Sequence, residues 1–111
     1  MGFSGKTVTL KSILQGTNDN SGASKVEGVE RYQVQALFSG SGTGQIKLQI
    51  SVDGINFSDY PSSQFAYPPA GNNNIQWEVR DVGHAFVRVQ TISGASPNGN
   101  IDILMFQKIL N

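Results

Sequence analysis

The chain has 111 residues, enough for one hydrophobic core and too few for two. Only 14% of residues are charged, and eight basic side chains balance eight acidic ones. Net charge therefore excludes long-range steering toward nucleic acid or an anionic membrane, while near-neutrality favours association and suits a protein that works inside an assembly. Cysteine is absent, which excludes disulfide and thiolate chemistry.

The first residues, Met1-Gly2-Phe3-Ser4-Gly5-Lys6, lack the apolar stretch of a signal peptide, and no segment is long enough to span a bilayer as a helix. Lys6 stands where a myristoylation signal prefers Ser or Thr. Thr7 to Leu14 then alternates as a strand, closed by Gly16. The following stretch, Thr17 to Ser24, is too hydrophilic and small-sided to be core and reads as a polar loop. Residues 1–28, strand plus loop, form a candidate contact arm on a single domain spanning 1–111.

From Glu30 to Phe38, Tyr32, Val34, Ala36 and Phe38 share one phase, while Arg31, Gln33 and Gln35 share the other. The Ser-Gly-rich segment 39–44 leads into Gln45 to Val52, where Ile46, Leu48, Ile50 and Val52 take the inward phase and Lys47, Gln49 and Ser51 the outward one. Short-linked sequential strands usually pair, so these two are expected to be direct neighbours. Asp53-Gly54 ends the run with turn chemistry. Residues 55–74 mix Phe57, Tyr60, Phe65 and Tyr67 with Pro61, Pro68 and Pro69; proline cannot donate to a ladder, so a connection or edge segment is expected there.

Alternation returns at Asn74 to Arg80, with Ile75, Trp77 and Val79 inward, and again at Ala85 to Ile92. The last run, Ile101 to Leu110, is apolar on both phases: Ile103, Met105 and Ile109 on one, Leu104, Phe106 and Leu110 on the other. Such a strand is central with both faces covered, or has its second face covered by another subunit, which makes Leu104, Phe106 and Leu110 the candidate partner interface. No window carries a helical repeat. The pattern predicts an all-β protein, an antiparallel, jelly-roll-like β-sandwich with Tyr32, Val34, Ala36, Ile46, Leu48, Ile50, Trp77, Val79, Val87 and Val89 in its core.

Chemistry-bearing candidates are sparse. His84 is the only histidine and sits beside Gly83 at a turn, and no Gly-x-Ser-x-Gly elbow is present. Asn18 to Gly22 supplies one acid, and Asp53 and Asp59 supply two more, short of a dedicated calcium loop. Neither metal, cofactor nor catalytic residue is expected. Lys47, Arg80 and Arg88 fall on outward phases of separate strands, ordinary solvated or ion-paired positions. Tyr60 and Tyr67, set among prolines, are the pair that would stack a sugar in an alternative reading as a carbohydrate-binding or host-recognition module.

The motif Ser51-Val52-Asp53-Gly54-Ile55-Asn56-Phe57, followed by Trp77 to Asp81, by Phe86-Val87-Arg88-Val89 and by the Ser-Gly-rich segment 93–99, resembles small β-sandwich structural proteins of bacteriophage virions. The likeness covers roughly the last two thirds of the chain. It implies a non-catalytic minor capsid, decoration or spike-type protein, located in the virion. The partners it implies are capsid or other virion proteins and further copies of the same chain, without nucleic acid or membrane.

Overall fold

The structure, a computed structural model, describes the backbone of residues 3–14, 18–40, 42–67, 74–80, 82–94 and 99–110; side chains are described from residue 18 onward, apart from those of Tyr67, Ser93, Ile109 and Leu110. Every regular element among these residues is a strand: β1 (Phe3–Leu14), β2 (Asp19–Asn20), β3 (Ser24–Lys25), β4 (Val29–Ser39), β5 (Gly44–Ser51), β6 (Ser58–Asp59), β7 (Phe65–Tyr67), β8 (Asn74–Arg80), β9 (Phe86–Ser93) and β10 (Asn100–Leu110). Sheet A runs β1-β10-β4-β8. Sheet B centres on β9 and β5, with β2 and β3 along the free side of β9 and β6 and β7 along the free side of β5.

All pairings are antiparallel. If β2 and β3 count as one interrupted strand, and β6 and β7 as another, the ten become eight. First then pairs with last, second with seventh, third with sixth and fourth with fifth. That is a single hairpin ribbon rolled into two sheets, the jelly roll.

Register explains the core. Across sheet A the inward rows are Gln107–Tyr32–Val79, Met105–Val34–Trp77 and Ile103–Ala36–Ile75. Sheet B answers with the pairs Ile46–Thr91, Leu48–Val89 and Ile50–Val87. The side chains between the sheets are almost fully removed from water, each Ile, Leu or Val contributing about 1.5–3 kcal/mol by burial. Nine of the ten expected core residues are buried, and Ile50 is half-buried against the same cluster. Val26 joins them although it lies outside any regular run.

Three expectations fail. The strands β4 and β5 are not neighbours: β4 lies between β10 and β8, while β5 pairs β9, β6 and β7. The glycine-rich segment between them is an arch that carries the chain from one sheet to the other. Gly94, after β9, and Gly99, before β10, lie close to its two ends without room for a side chain, since a Cβ on Gly94 would collide with the Thr43 carbonyl and one on Gly99 with the Ser39 carbonyl. Gly99 also has φ +83°, open mainly to glycine.

Val52 is not inward either. The ladder of β5 stops at Ser51, whose hydroxyl accepts the amides of Asp53 and Gly54 at 3.2 and 2.9 Å; the turn begins one residue early and Val52 is 79% exposed. The polar stretch after β1, third, is structural rather than a loose loop, because it supplies β2, β3 and the buried Ser21.

Both edges of sheet B are broken and mended in the same way. Between β2 and β3, the Ser21 amide donates to the Val89 carbonyl and the Val89 amide donates to Ser21 Oγ, both at 2.9 Å. Between β6 and β7, the Tyr60 amide donates to the Leu48 carbonyl at 2.9 Å and the Leu48 amide to Ser63 Oγ at 3.1 Å. Val89 and Leu48 are register partners, so the two breaks lie on one row of the sheet. A serine hydroxyl stands at each where a backbone carbonyl would otherwise accept, and no buried amide there is orphaned.

Candidate functional site

The outward face of sheet A is a grid set by register. Lys108–Arg31–Arg80 forms one row, then come Phe106–Gln33–Glu78, Leu104–Gln35–Gln76 and Asp102–Leu37–Asn74. Cations thus lie at one end and Asp102 at the other, with the apolar residues between them. Phe106 is 43% exposed and Leu104 half-buried, on a strand whose opposite face is core. The Phe106 ring borders two shallow recesses. One, about 180 Å³, is lined by Gln33, Gln35, Gln76, Leu104 and Met105; the other, about 150 Å³, by Arg31, Tyr32, Gln33 and Lys108. Glu78 is held below the usual carboxylate range by hydrogen bonds from Gln33 and then Arg80.

The outward face of sheet B is built differently. Asp59 accepts from Gln49 Nε2 at 3.0 Å and from Lys47 Nζ at 2.9 Å, which lower its pKa in that order. Arg88 donates to Gln49 Oε1 at 2.8 Å while its guanidinium lies 4.1 Å from the Phe57 ring centroid. These polar groups satisfy one another, and the aromatic is covered by a cation. Lys47 and Arg88 thus belong to this network, and Arg80 pairs with Glu78 on the other sheet.

At the end of β5 the 51–57 turn is locked by one carboxylate. Asp53 accepts the amides of Ile55 and Asn56 at 2.8 and 2.9 Å, Asn56 Nδ2 at 2.8 Å and the Ser51 hydroxyl at 2.9 Å. These bonds, the Asn56 and Ile55 amides first, hold its pKa far below the ordinary aspartate value. Gly54, at φ +79°, lies beneath the Phe86 ring. The locked turn presents Val52 and Ile55 to water at 79% and 81% exposure, more than any other large hydrophobic among the described residues.

His84 is not a free surface histidine. Its Nε2 lies 2.6 Å from the Tyr32 hydroxyl, and its ring stands edge-on to Tyr32 and to Tyr60, with centroids at 5.7 and 6.3 Å. Burial, then the neighbouring Tyr60, raises the Tyr32 pKa, while burial lowers that of His84. The phenol therefore keeps its proton and the imidazole stays neutral, a hydrogen-bonded structural pair with neither a carboxylate to orient the ring nor a serine to activate among these contacts.

Among the sequence-stated site residues, then, Leu104 and Phe106 share the outward face of β10, and the Leu110 side chain lies outside the described residues. Tyr60 is not an exposed stacking ring, because it packs on the core and against His84. The Tyr67 side chain lies outside the described residues. Asp19 Oδ1 accepts the Asn20 amide and Asn20 Oδ1 the Gly22 amide, so that the Asn18–Gly22 segment uses oxygens to fold itself. Among the described residues no three His, Asp or Glu side chains gather as metal ligands. The amide bed of Gln33, Gln35 and Gln76 escapes sequence reading because it exists only after three strands are placed in register. The apolar tip carries a signal in Ile55, an aliphatic residue just after Asp-Gly.

No protein-family model matches the chain, and no curated protein matches it. Solved structures do. The SPBc2 prophage-derived protein YomS aligns over 97% of this chain and 96% of its own, with TM-score 0.72 and 13% identity. A structure described as Bacillus endospore appendages forming a family of disulfide-linked pili aligns over 96% and 87%, with TM-score 0.57 and 14% identity. The Yersinia pseudotuberculosis-derived mitogen aligns over 99% and 87%, with TM-score 0.50 and 10% identity. At such identities the likeness establishes a shared full-length fold. Those proteins differ in their described roles, so the fold by itself assigns no function.

Proposed function

We propose that this chain is a non-catalytic structural component of a phage or phage-derived particle, attached through the outward face of sheet A. The observation that carries this reading is the contrast between the two outward faces. That of sheet B is occupied by its own polar network, whereas Phe106 and Leu104 on sheet A stand on the central strand with no covering layer of this chain described over them. A patch of this kind, apolar in the middle and charged at its ends, has the anatomy of a protein contact. Full-length fold likeness to a prophage-derived protein supports a particle as the setting. One face need supply only about 800 Å² to make a standard interface, and many copies add avidity. With no cysteine, such an assembly rests on noncovalent contacts rather than disulfides.

The test is to purify particles from cells expressing the tagged chain and to ask whether it co-sediments with them. Wild type should travel with the particle and Phe106→Asp should not. Wild-type protein remaining entirely in the soluble fraction would refute attachment. Phe106 beside Gln33, Gln35 and Gln76 also favours a second reading, a sugar laid on that face, for which glycan-array binding lost on Phe106→Ala is the corresponding result.

A further inference from the structure

Two features described above are complementary and lie on different parts of the molecule. The 51–57 tip continues sheet B and carries two aliphatic side chains beside the carboxylate of Asp53. The recesses beside Phe106 lie on the face of sheet A turned away from sheet B, next to the Lys108–Arg31–Arg80 row. A molecule cannot fill its own recess with its own tip.

The recess volumes, about 180 and 150 Å³, are well under the roughly 300–1,000 Å³ of small-molecule pockets; they suit single side chains. The tip carries the Asp53 carboxylate and the smaller recess is rimmed by Arg31 and Lys108, and the turn is already fixed by its own hydrogen bonds, so docking would require little ordering.

We propose that this chain binds a second copy of itself head to tail, Val52 and Ile55 of one copy entering the recesses beside Phe106 of the next. The proposal rests on reading the sheet A face as a contact surface and names its occupant. Asp53 comes to face Arg31 and Lys108 of the neighbour. Because the two halves of the contact differ, every bound pair leaves one tip and one recess face unused, and the contact propagates into a ring or a filament.

Sedimentation velocity over a range of concentrations at low salt tests this. Wild type should grow past the dimer as concentration rises. The Val52→Asp/Ile55→Asp double variant, altered only at exposed positions, and Phe106→Asp should each associate at least about tenfold more weakly. Mixed in equal amounts, these two should form a one-to-one dimer and nothing longer, because each supplies the half that the other lacks. Arg31→Glu gives a second recess-side variant that leaves the apolar packing intact, and it should also weaken association.

A wild type that stays monomeric at the highest concentration overturns the inference. So does a tip variant that associates like wild type while Phe106→Asp does not, which would indicate a symmetric face-to-face dimer. Either result, combined with Phe106-dependent co-sedimentation with particles, leaves the proposed attachment standing and removes only the tip as its partner.

Discussion

The two sheets of this sandwich solve the problem of having edges in opposite ways. Sheet A is made of long strands: β10 and β4 have 11 residues each, and β1, with 12, runs along β10 with one register shift between Thr9 and Ser12. Sheet B has two eight-residue strands flanked by fragments of two or three residues. These long strands give sheet A a wide platform, at the cost of two uninterrupted edge strands, β1 and β8. Fragmented flanks deny sheet B a continuous edge on which another strand could add. The lesson is that side-chain alternation builds one sheet, and individually placed hydroxyls complete the other.

The strongest way to break this contrast is through the residue that joins the two solutions. Trp77 sits on β8 of sheet A, 7% exposed, and its Nε1 donates to the Ser63 carbonyl on the edge of sheet B at 2.8 Å. Trp77→Ala should cost about 3–5 kcal/mol in denaturant melts; a loss below about 1 kcal/mol would mean that the ring is not part of the core. Next come the serines. Ser21→Ala and Ser63→Ala each leave a buried amide, Val89 or Leu48, without its acceptor, and should each cost about 1–3 kcal/mol. Hydrogen exchange should show those two amides losing protection. If both variants melt like wild type, the hydroxyls are incidental to the edges.

A smaller effect is expected at the Tyr32–His84 contact. Burial lowers the folded-state pKa of His84, so the unfolded chain takes up a proton more readily once the pH falls below the ordinary histidine value of about 6.5. Stability should therefore be full above that value and decline as the pH drops toward the folded pKa. His84→Phe should flatten this part of the profile, and an unchanged profile would assign the decline to other groups. The smallest effect is none at all. Chelator and then calcium should leave the thermal midpoint unmoved, since the Asp53 oxygens already receive four donors and Asp59 is engaged by Lys47 and Gln49. A calcium-dependent rise of several degrees would contradict this.

Sheet A was the more legible of the two in the sequence, for the same physical reason. Period-two alternation needs four or more residues to be seen, and β4, β8 and β10 supply them, as do β5 and β9. Phases then led directly to Tyr32, Val34, Trp77 and Val79 as core. The edge fragments of sheet B, two or three residues each, fall short of those four, so nothing in the local sequence marks Ser21 and Ser63 as edge residues. The separation of β4 and β5 into different sheets is not legible, because a short glycine-rich link can close a hairpin or an arch between layers and local sequence does not distinguish them. The outward row Phe106–Gln33–Glu78 shows the same limit: each residue's phase is readable, but their meeting depends on a pairing of β10 with β4 across some seventy positions of chain.

The rolled-ribbon topology has one more consequence. Phe3 lies opposite Leu110 and Leu14 opposite Asn100, so the outermost strand of sheet A can settle only after nearly the whole chain has been gathered, against the loop-closure entropy of that long detour. Folding dominated by such distant pairings is slow, in the millisecond-to-second range for β-sandwiches. Until β1 arrives, one flank of β10 is unoccupied, and the β1 of another molecule fits it as well as its own. Exchange of the first strand between copies is the error to which this order of assembly is most open.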